Sequence, residues 1–597
     1  MQPTIEILDR ISGDSRKNKE EIFTRLYRYM LRPDLYYIAY KNLYANQGAA
    51  TKGVDDDTAD GFSEEKVHKI IKGLSAGTYT PRPVRRTYVA KKQNSAKKRP
   101  LGIPTFTDKL VQEVLRMILE AVYEPMFSYF SHGFRPNRSC HTALNSLKKE
   151  FVGATWFIEG DIKSCFDSID HHVLVDIISA KIKDARLIQL VWKFLKAGYM
   201  ENWQYHATYS GCPQGGIVSP ILSNIYLNEL DKFAEKTAQE FFKPKDRVRN
   251  TEYSRIAARI QTAKKRAKAA VGQEKVELLR QIKLLKSQLL KTPFVSKTDK
   301  AIKYIRYADD FIIGVRGDRA DCEHIKRLFA EFISQSLKME LSDEKTLITH
   351  SNQHARFLGY DVRVRRDNTV KPHGKHKGRT LNYTVEMNVP FEDKIMPFLF
   401  NKTIIRQTHD GAIKPSARPR LYRCTDLEIV STYNSELRGI CNYYSIASNF
   451  TRLDYFAYLM EYSCLKTLAG KHDNTSRKMI DKFHIINGGW GIPYKTVKGQ
   501  QKHCRFAKYA ECKNSDKFSD VIIDYATRHA GTRTTFEKRL NSHTCELCGK
   551  TDTPLEMHHV NKVKNLKGKQ FWEIMMIAKK RKTLAVCKGC HHKIHHP

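Results

Sequence analysis

Two adjacent carboxylates interrupt an apolar run in "IKYIRYADDFIIGV", residues 302–315. Val, Ile, Tyr and Phe on both sides favour strands. Two short apolar runs broken by Ala-Asp-Asp read as a hairpin with Asp309 and Asp310 at its turn. Aspartate is also common in Asx-type turns, where its side chain bonds nearby backbone, so the doublet alone decides nothing. A third carboxylate adds weight: "TWFIEGDIKSCFDSID" carries a strand-like apolar run that ends at Asp161. Nucleotidyl transfer needs two divalent cations ~4 Å apart, one activating the attacking hydroxyl and one steadying the leaving pyrophosphate. Mg2+ is a hard ion that takes carboxylate oxygens plus substrate phosphates, so a few aspartates on rigid strand ends suffice. Asp161, Asp309 and Asp310 are the candidates for such a cage. Asp167 and Asp170 follow into a turn and helix, where local capping is the expectation.

A second chemistry sits near the C-terminus. "CELC" (Cys545, Cys548) and "CKGC" (Cys587, Cys590) supply four soft ligands at knuckle spacing. Four thiolates make a closed tetrahedral zinc site. In a short basic segment with little apolar core, the metal would supply much of the folding free energy. The other nine of the thirteen cysteines have no partner at metal-binding spacing. With no apolar leader at the N-terminus, a disulfide framework is not expected.

These residues need a large, mixed scaffold to position them. At 597 residues the chain suggests three or four domains, and 41% hydrophobic content is enough for real cores. No stretch approaches 18 uninterrupted apolar residues, so no membrane span is expected. The first 80 residues carry helical periodicity, "TYTPRPVRRTYVAKK" alternates like a strand, and mixed strands and helices continue to about 365. Between Pro244 and Pro293 a single glycine, Gly272, divides two basic helical stretches, an insertion spanning about 237–300. It reads equally as a solvated helical hairpin or an RNA-contacting arm. Residues 375–480 are mainly helical and rich in aromatics, 481–540 are basic and less regular, and 541–597 form a small metal-binding domain. The balance of 103 Lys and Arg against 64 Asp and Glu gives a net charge of +39. An excess of that size repels itself unless it faces a polyanion, which points to nucleic acid. A basic membrane-surface protein is the competing class, but the charge is spread along the chain rather than gathered on one amphipathic helix.

The motif order carries a resemblance. "KKRPLGIPTFTDKLVQ" (97–112), "SHGFRPNRSCHTAL" (131–144), "GDIKSCFDSID" (160–170), "GCPQGGIVSPILSNIYL" (211–227), "YADD" (307–310), "LSDEKT" (341–346) and "RFLGYDV" (356–362) follow one another. In that order they resemble the reverse transcriptase blocks of group II intron-encoded proteins. "STYNSELRGICNYY" is similar to the maturase, or thumb, domain of that family. The resemblance implies that Asp161, Asp309 and Asp310 hold catalytic Mg2+ and that Lys91 and Arg99 clamp the incoming triphosphate. It sets Gln214 against the template and nascent base pair, where Gly215 and Gly216 let backbone approach closely. Phe166 stands at the family's steric gate, where its ring would collide with a ribose 2′-hydroxyl; a core phenylalanine is the plainer reading. Tyr307 packs under the primer end or simply fills the hairpin. In the thumb, Arg438, Tyr443, Tyr444, Lys466 and Lys471 are candidates for gripping RNA backbone and stacking on unpaired bases, although aromatics at helical spacing also fill cores.

The histidines of "MHHVNK" and "CHHKIHHP" resemble an HNH endonuclease ββα-metal site. On a helix His591 and His595 face the same way and would bind one divalent metal with His558. His559 would be the base, since an imidazole titrates near neutral pH. Alternatively some of these histidines contact phosphate or finish the zinc site, and His592 and His596 are expected bystanders. The resemblance is imperfect in one place: Lys582 stands where many HNH proteins carry Asn, leaving Asn561 or Asn565 as substitutes.

The implied fold is α+β and multidomain: right-hand fingers and palm, an α-helical thumb, and a zinc-bound ββα-metal tail. The implied function is RNA-directed DNA synthesis, assistance to intron RNA splicing, and DNA nicking that primes copying. Partners would be intron RNA, target DNA and dNTPs, with no membrane, in the cytoplasm of a bacterium; a homodimer is compatible with this. Two other classes use part of the same residues: a free-standing reverse transcriptase without a splicing role, and an RNA-binding splicing chaperone with a relic palm.

Overall fold

The computed structural model describes residues 4–91, 94–243, 248–292, 294–296, 300–367, 369–373, 376–379, 382–485, 489–496, 499–512 and 535–596. The Lys91 side chain and residues 513–534 of the basic region lie outside the described residues. No helix among them is long and apolar enough to cross a membrane.

Four antiparallel strands form the central sheet, in the order Ile348–His350, Trp156–Asp161, Asp310–Arg316, Ala301–Tyr307. Successive side chains on a strand leave to opposite faces, and here both faces are buried. Ile158, Phe311, Ile313 and Ile302 enter one apolar core, while Phe157, Ile312 and Ile305 enter another. That double burial explains why the strands read as nearly continuous apolar runs broken only at the carboxylates. The first core also takes the helices Pro33–Tyr44, Phe106–Tyr123 and Ser219–Phe241. The second is built mainly from residues 355–512, including the helices Asp426–Tyr443 and Leu453–Lys471.

A second four-stranded sheet stands beside the first, in the order Asn94–Ile103, Val84–Lys91, Tyr199–Glu201, Gln204–His206. The basic insertion folds as two helices, Thr251–Ala269 and Gln273–Lys291. Asn250 caps the first, and Gly272 supplies the positive φ of 70° between them. They share a small core of Ala263, Ala267 and Ile282 and otherwise expose mostly charged residues.

The C-terminal segment has two antiparallel strands, Leu555–His559 and Thr583–Cys587, followed by the helix Lys588–His595. Read from the sequence as a separate small domain, it is joined to the N-terminal region. Phe62 and Ser63 add a third strand opposite Met557 and Glu556, and the apolar core is continuous across the junction. Phe62 is fully buried and stacks on Tyr40 with ring centroids 4.1 Å apart.

Candidate functional site

The strand register sets the three carboxylates. Asp310 lies opposite Asp161 across one strand pair and opposite Tyr307 across the other, with Ala308 and Asp309 forming the turn. Desolvation, then the charges of Asp309 and Asp161, push the Asp310 carboxyl up to about 7. Burial and the Asp161 charge raise Asp309 as well. Three carboxylates forced together demand positive charge, and that donor set fits Mg2+. Lys345 answers part of the demand: its Nζ donates to Asp161 Oδ2 at 2.7 Å. The "LSDEKT" turn carrying it is tied to the same strand end by Ser342 N–H donating to the Asp161 carbonyl at 2.8 Å. Lys345 was not among the site residues read from the sequence; only the spacing of its block hinted at it.

Below the carboxylates, the turn is held by a buried ion pair. Arg306 and Asp231 are fully buried, with Arg306 Nε 2.7 Å from Asp231 Oδ1 and Nη2 2.6 Å from Oδ2. The same guanidinium donates to the Ala308 carbonyl at 2.8 Å and to Ser131 Oγ at 2.8 Å. Ala308 takes φ 57°, and Gly133 packs so tightly on it that a Cβ there would sit 2.3 Å from Ala308 N. Asn224 Nδ2 donates to the Gly133 carbonyl at 2.9 Å. Three separate sequence blocks therefore meet at one turn, which gives their co-occurrence a physical cause.

Of the remaining candidates, Gln214 lines a hollow against the neighbouring sheet, and the three carboxylates are not among its lining residues. Arg99, exposed and opposite Val89 on the neighbouring sheet, adds positive field at Asp309. The hollow, of about 270 Å³, is lined by Arg86, Tyr199, Asp167 and Gln214 among others. Gly102 N–H donates to the Gln214 carbonyl at 2.6 Å. Gly215 has φ 109°, and a Cβ at this position would sit only 2.7 Å from the Gly102 carbonyl oxygen. Glycine is required there to seat the loop on the strand. Phe166 is half-buried, outside both main cores, with its ring 6.1 Å from that of exposed Phe134. Asp170 caps the helix His171–Lys181, accepting from His172 and Val173 N–H. Asp167 departs from the capping expectation: its Oδ2 accepts from Gln214 Nε2 at 3.3 Å, in the wall of the hollow.

In the C-terminal segment the ligand atoms of Cys545, Cys548, Cys587 and Cys590 lie within 4.8 Å of one another. Backbone N–H groups of Cys548, Cys587 and Leu547 outweigh burial and bring the Cys545 thiol down to about 7, which favours the thiolate that zinc binds. His558, His591 and His595 form a second such set, and a residue missed in the sequence, Asp60, completes it. His591 Nδ1 is 2.7 Å from Glu556 Oε2. A carboxylate behind one ring nitrogen orients the other toward a metal, so the donors fit a divalent transition metal. His559 points away from this set, with its Nε2 2.9 Å from the Tyr44 carbonyl. His592 and His596 pair with each other, rings 4.6 Å apart.

The five thumb candidates differ in exposure and in their partners. Tyr444 is 6% exposed and its hydroxyl donates to the Gly359 carbonyl at 3.1 Å. The Tyr443 hydroxyl donates to Leu358 O at 2.6 Å, while its own carbonyl accepts from Tyr360. Both hydroxyls tie the thumb to the "RFLGYDV" turn, with Tyr444 buried and Tyr443 half-buried. Lys466 donates to Pro415 O at 2.9 Å, and Lys471 to Asp426 Oδ1 at 2.7 Å, so both ammonium groups are engaged internally. Arg438 remains exposed, 4.0 Å from Glu511. Sequence reading passed over Tyr455, Tyr458 and Tyr462, exposed on one helix face with centroids 6.3 and 4.6 Å apart. Their three- and four-residue spacing was the available signal.

Parts of the chain match known protein families. Residues 89–362 match the reverse transcriptase (RNA-dependent DNA polymerase) family. Residues 382–529 match the type II intron maturase family, and 545–591 the AI2M/AI1M-like HNH endonucleases. The chain is 57% identical to group II intron-encoded protein LtrA of Lactococcus lactis subsp. cremoris, covering 100% of both chains. It is 35% identical to a 91 kDa protein in the cob intron of Schizosaccharomyces pombe, over 98% of this chain and 72% of that protein. Nuclear intron maturase 2, mitochondrial, of Arabidopsis thaliana is 26% identical over 66% of this chain and 56% of its own.

Proposed function

The chain belongs to the group II intron-encoded proteins, and from that premise we propose how its residues divide the work of a multifunctional reverse transcriptase, maturase and HNH endonuclease. One observation carries the polymerase assignment: Asp161 and Asp310 face each other across adjacent strands, and Asp309 sits in the hairpin turn just before Asp310. The central sheet is the palm, the Val84–Lys91 and Asn94–Ile103 hairpin belongs to the fingers, and residues 375–480 are the thumb. Two bound Mg2+ ions would activate the primer hydroxyl and neutralise the leaving pyrophosphate. Asp161, Asp309 and Asp310 hold them; Lys345 balances the carboxylate charge when the site is open. Lys91 and Arg99 receive the triphosphate of a dNTP. Gln214 and Gly215 support the template and nascent pair, their loop seated on the fingers strand.

Phe166 guards the sugar. Replacing it with valine removes the ring that would meet a 2′-hydroxyl, a steric term of a few kcal/mol. Phe166→Val is expected to raise ribonucleotide incorporation relative to deoxyribonucleotide by about 10–100-fold. Single-nucleotide extension on one template measures the ratio, and an unchanged ratio removes Phe166 from the gate.

The thumb, with exposed Arg438 and the Tyr455–Tyr458–Tyr462 face, and the basic insertion hold the parent intron RNA. The four cysteines take a structural zinc. His558, His591 and His595 hold the nuclease metal, which would polarise the scissile DNA phosphate, and His559 serves as base. The nicked strand's 3′-hydroxyl then primes copying of the RNA. We place this cycle in the cytoplasm, on chromosomal DNA, with the protein acting as a monomer or a homodimer.

The maturase part is tested by purifying the protein from its host at moderate salt and sequencing the bound RNA. Recovery of one excised lariat, from the intron surrounding this reading frame, is expected. A spread of unrelated RNAs would favour a free-standing reverse transcriptase.

A further inference from the structure

Asp60 lies 499 positions before His559 in the chain, yet its carboxylate stands among the three nuclease histidines. Asp60 Oδ1 is 3.2 Å from His558 Nδ1 and 3.2 Å from His591 Nε2, and Oδ2 is 2.8 Å from His595 Nε2. His591 Nε2 and His595 Nε2 are 3.3 Å apart. Together the four residues offer donor atoms that all lie within 4.8 Å of one another.

A network of ordinary hydrogen bonds does not account for the cluster. His558 is 3% exposed, and both of its ring nitrogens are buried without an aligned hydrogen-bond partner. Its Nδ1 is within ion-pair distance of Asp60, but off the angle of a hydrogen bond. A buried imidazole left unsatisfied is costly, and a metal at the focus of the four donors would satisfy the ring nitrogen that faces Asp60. The Glu556 contact that orients His591 is already in place. Asp60 is itself held firmly. Its Oδ1 accepts from His559 N–H at 2.7 Å, the next residue's N–H (Gly61) donates to Met557 O at 3.1 Å, and Phe62–Ser63 pairs with Met557 and Glu556.

We infer that Asp60 is the fourth protein ligand of the nuclease metal, closing a three-imidazole, one-carboxylate site that latches the endonuclease to the N-terminal region in a resting state. This rests on the assignment of the three histidines to a metal. Three nitrogens and one carboxylate oxygen suit a divalent transition metal such as Zn2+ or Mn2+. Four protein ligands make a closed site, whereas catalysis needs a position for water or phosphate. The same docking occupies the base, because Tyr44 O accepts at His559 Nε2. Lys588 with Glu65 and Lys582 with Ala45 O add polar contacts across the junction. Nicking therefore requires the Asp60 carboxylate to leave, which opens one coordination position without dismantling the histidine set.

The test uses the full-length protein with Zn2+ as probe, removed competitively by a chromophoric chelator, in parallel with nicking of a DNA target by the ribonucleoprotein. Wild type should hold two zinc equivalents, one at the cysteines and one at the histidines. Asp60→Asn, which keeps the shape, and Asp60→Ala should keep the first. The second should bind at least about 10-fold more weakly, while nicking at saturating metal rises several-fold. His591→Ala should lose both the second equivalent and nicking. An unchanged second-site affinity in Asp60→Asn, or nicking that falls at saturating metal, overturns the latch. If His591→Ala also leaves the second equivalent untouched, the histidine metal site itself is wrong.

Discussion

Asp309→Asn is expected to lower DNA synthesis by about 10³-fold or more, a loss of about 4 kcal/mol in transition-state stabilisation, while RNA binding and splicing assistance stay near wild type. The asparagine keeps the size of the side chain and its turn-forming capacity, so a fold explanation for the loss is weak. What it removes is a carboxylate that burial and the neighbouring Asp161 charge raise above the usual range, as burial, Asp309 and Asp161 do for Asp310. On the proposed division of work, RNA is held by exposed groups of the thumb and the basic insertion, such as Arg438, and not by the Asp309 carboxylate. Primer extension on a synthetic template and a filter-binding titration with intron RNA separate the two effects. Copying within tenfold of wild type would show that Asp309 carries no essential charge, and the palm assignment would fall.

Asp231→Ala should be the most destabilising single change in the palm. Arg306 would keep its charge in a fully buried site with its main partner gone. Breaking a buried pair from one side costs about 3–5 kcal/mol, expected as a fall on the order of 10 °C in the thermal unfolding midpoint. The damage should reach the chemistry, because Arg306 also anchors the Ala308 carbonyl beneath Asp309. The double variant Asp231→Leu with Arg306→Met tests this link. Replacing both charges by apolar side chains should recover most of the stability, yet copying should stay depressed because the turn has lost its guanidinium. A double variant that regains stability and full copying would show that the pair supports the fold alone.

Much of the palm was legible in the chain because its strands are nearly continuous apolar runs broken at a few carboxylates, and because the Ala301–Tyr307 and Asp310–Arg316 strands pair as a local hairpin. The sequence blocks that cover Ala308, including Gly133 and Asn224, were recognisable as motifs, but their reason was not. Only the fold brings Gly133 within reach of Ala308 N and Asn224 within reach of Gly133. The cysteine pairs were readable because metal spacing is a short-range signal. Asp60 was invisible for the opposite reason: nothing local distinguishes it from its neighbours Asp55, Asp56 and Asp57, and its partners lie at the far end of the chain. Tyr443 and Tyr444 stayed open between core and RNA contact because an aromatic at helical spacing has the same signature in either place. Burial is what separates the two, and burial is a property of the assembled domains.

The central claim is that one chain nicks DNA and copies RNA from the nick. It is tested most directly by incubating the purified ribonucleoprotein with a duplex DNA target labelled on the 5′ side of the nicked strand, plus dNTPs and Mg2+. The expected product is a labelled DNA strand lengthened by sequence complementary to the intron RNA. With Asp309→Asn, the same strand should be nicked at wild-type yield and not lengthened. Nicking without any joined copy in the wild type, or lengthening that persists in Asp309→Asn, would contradict the claim.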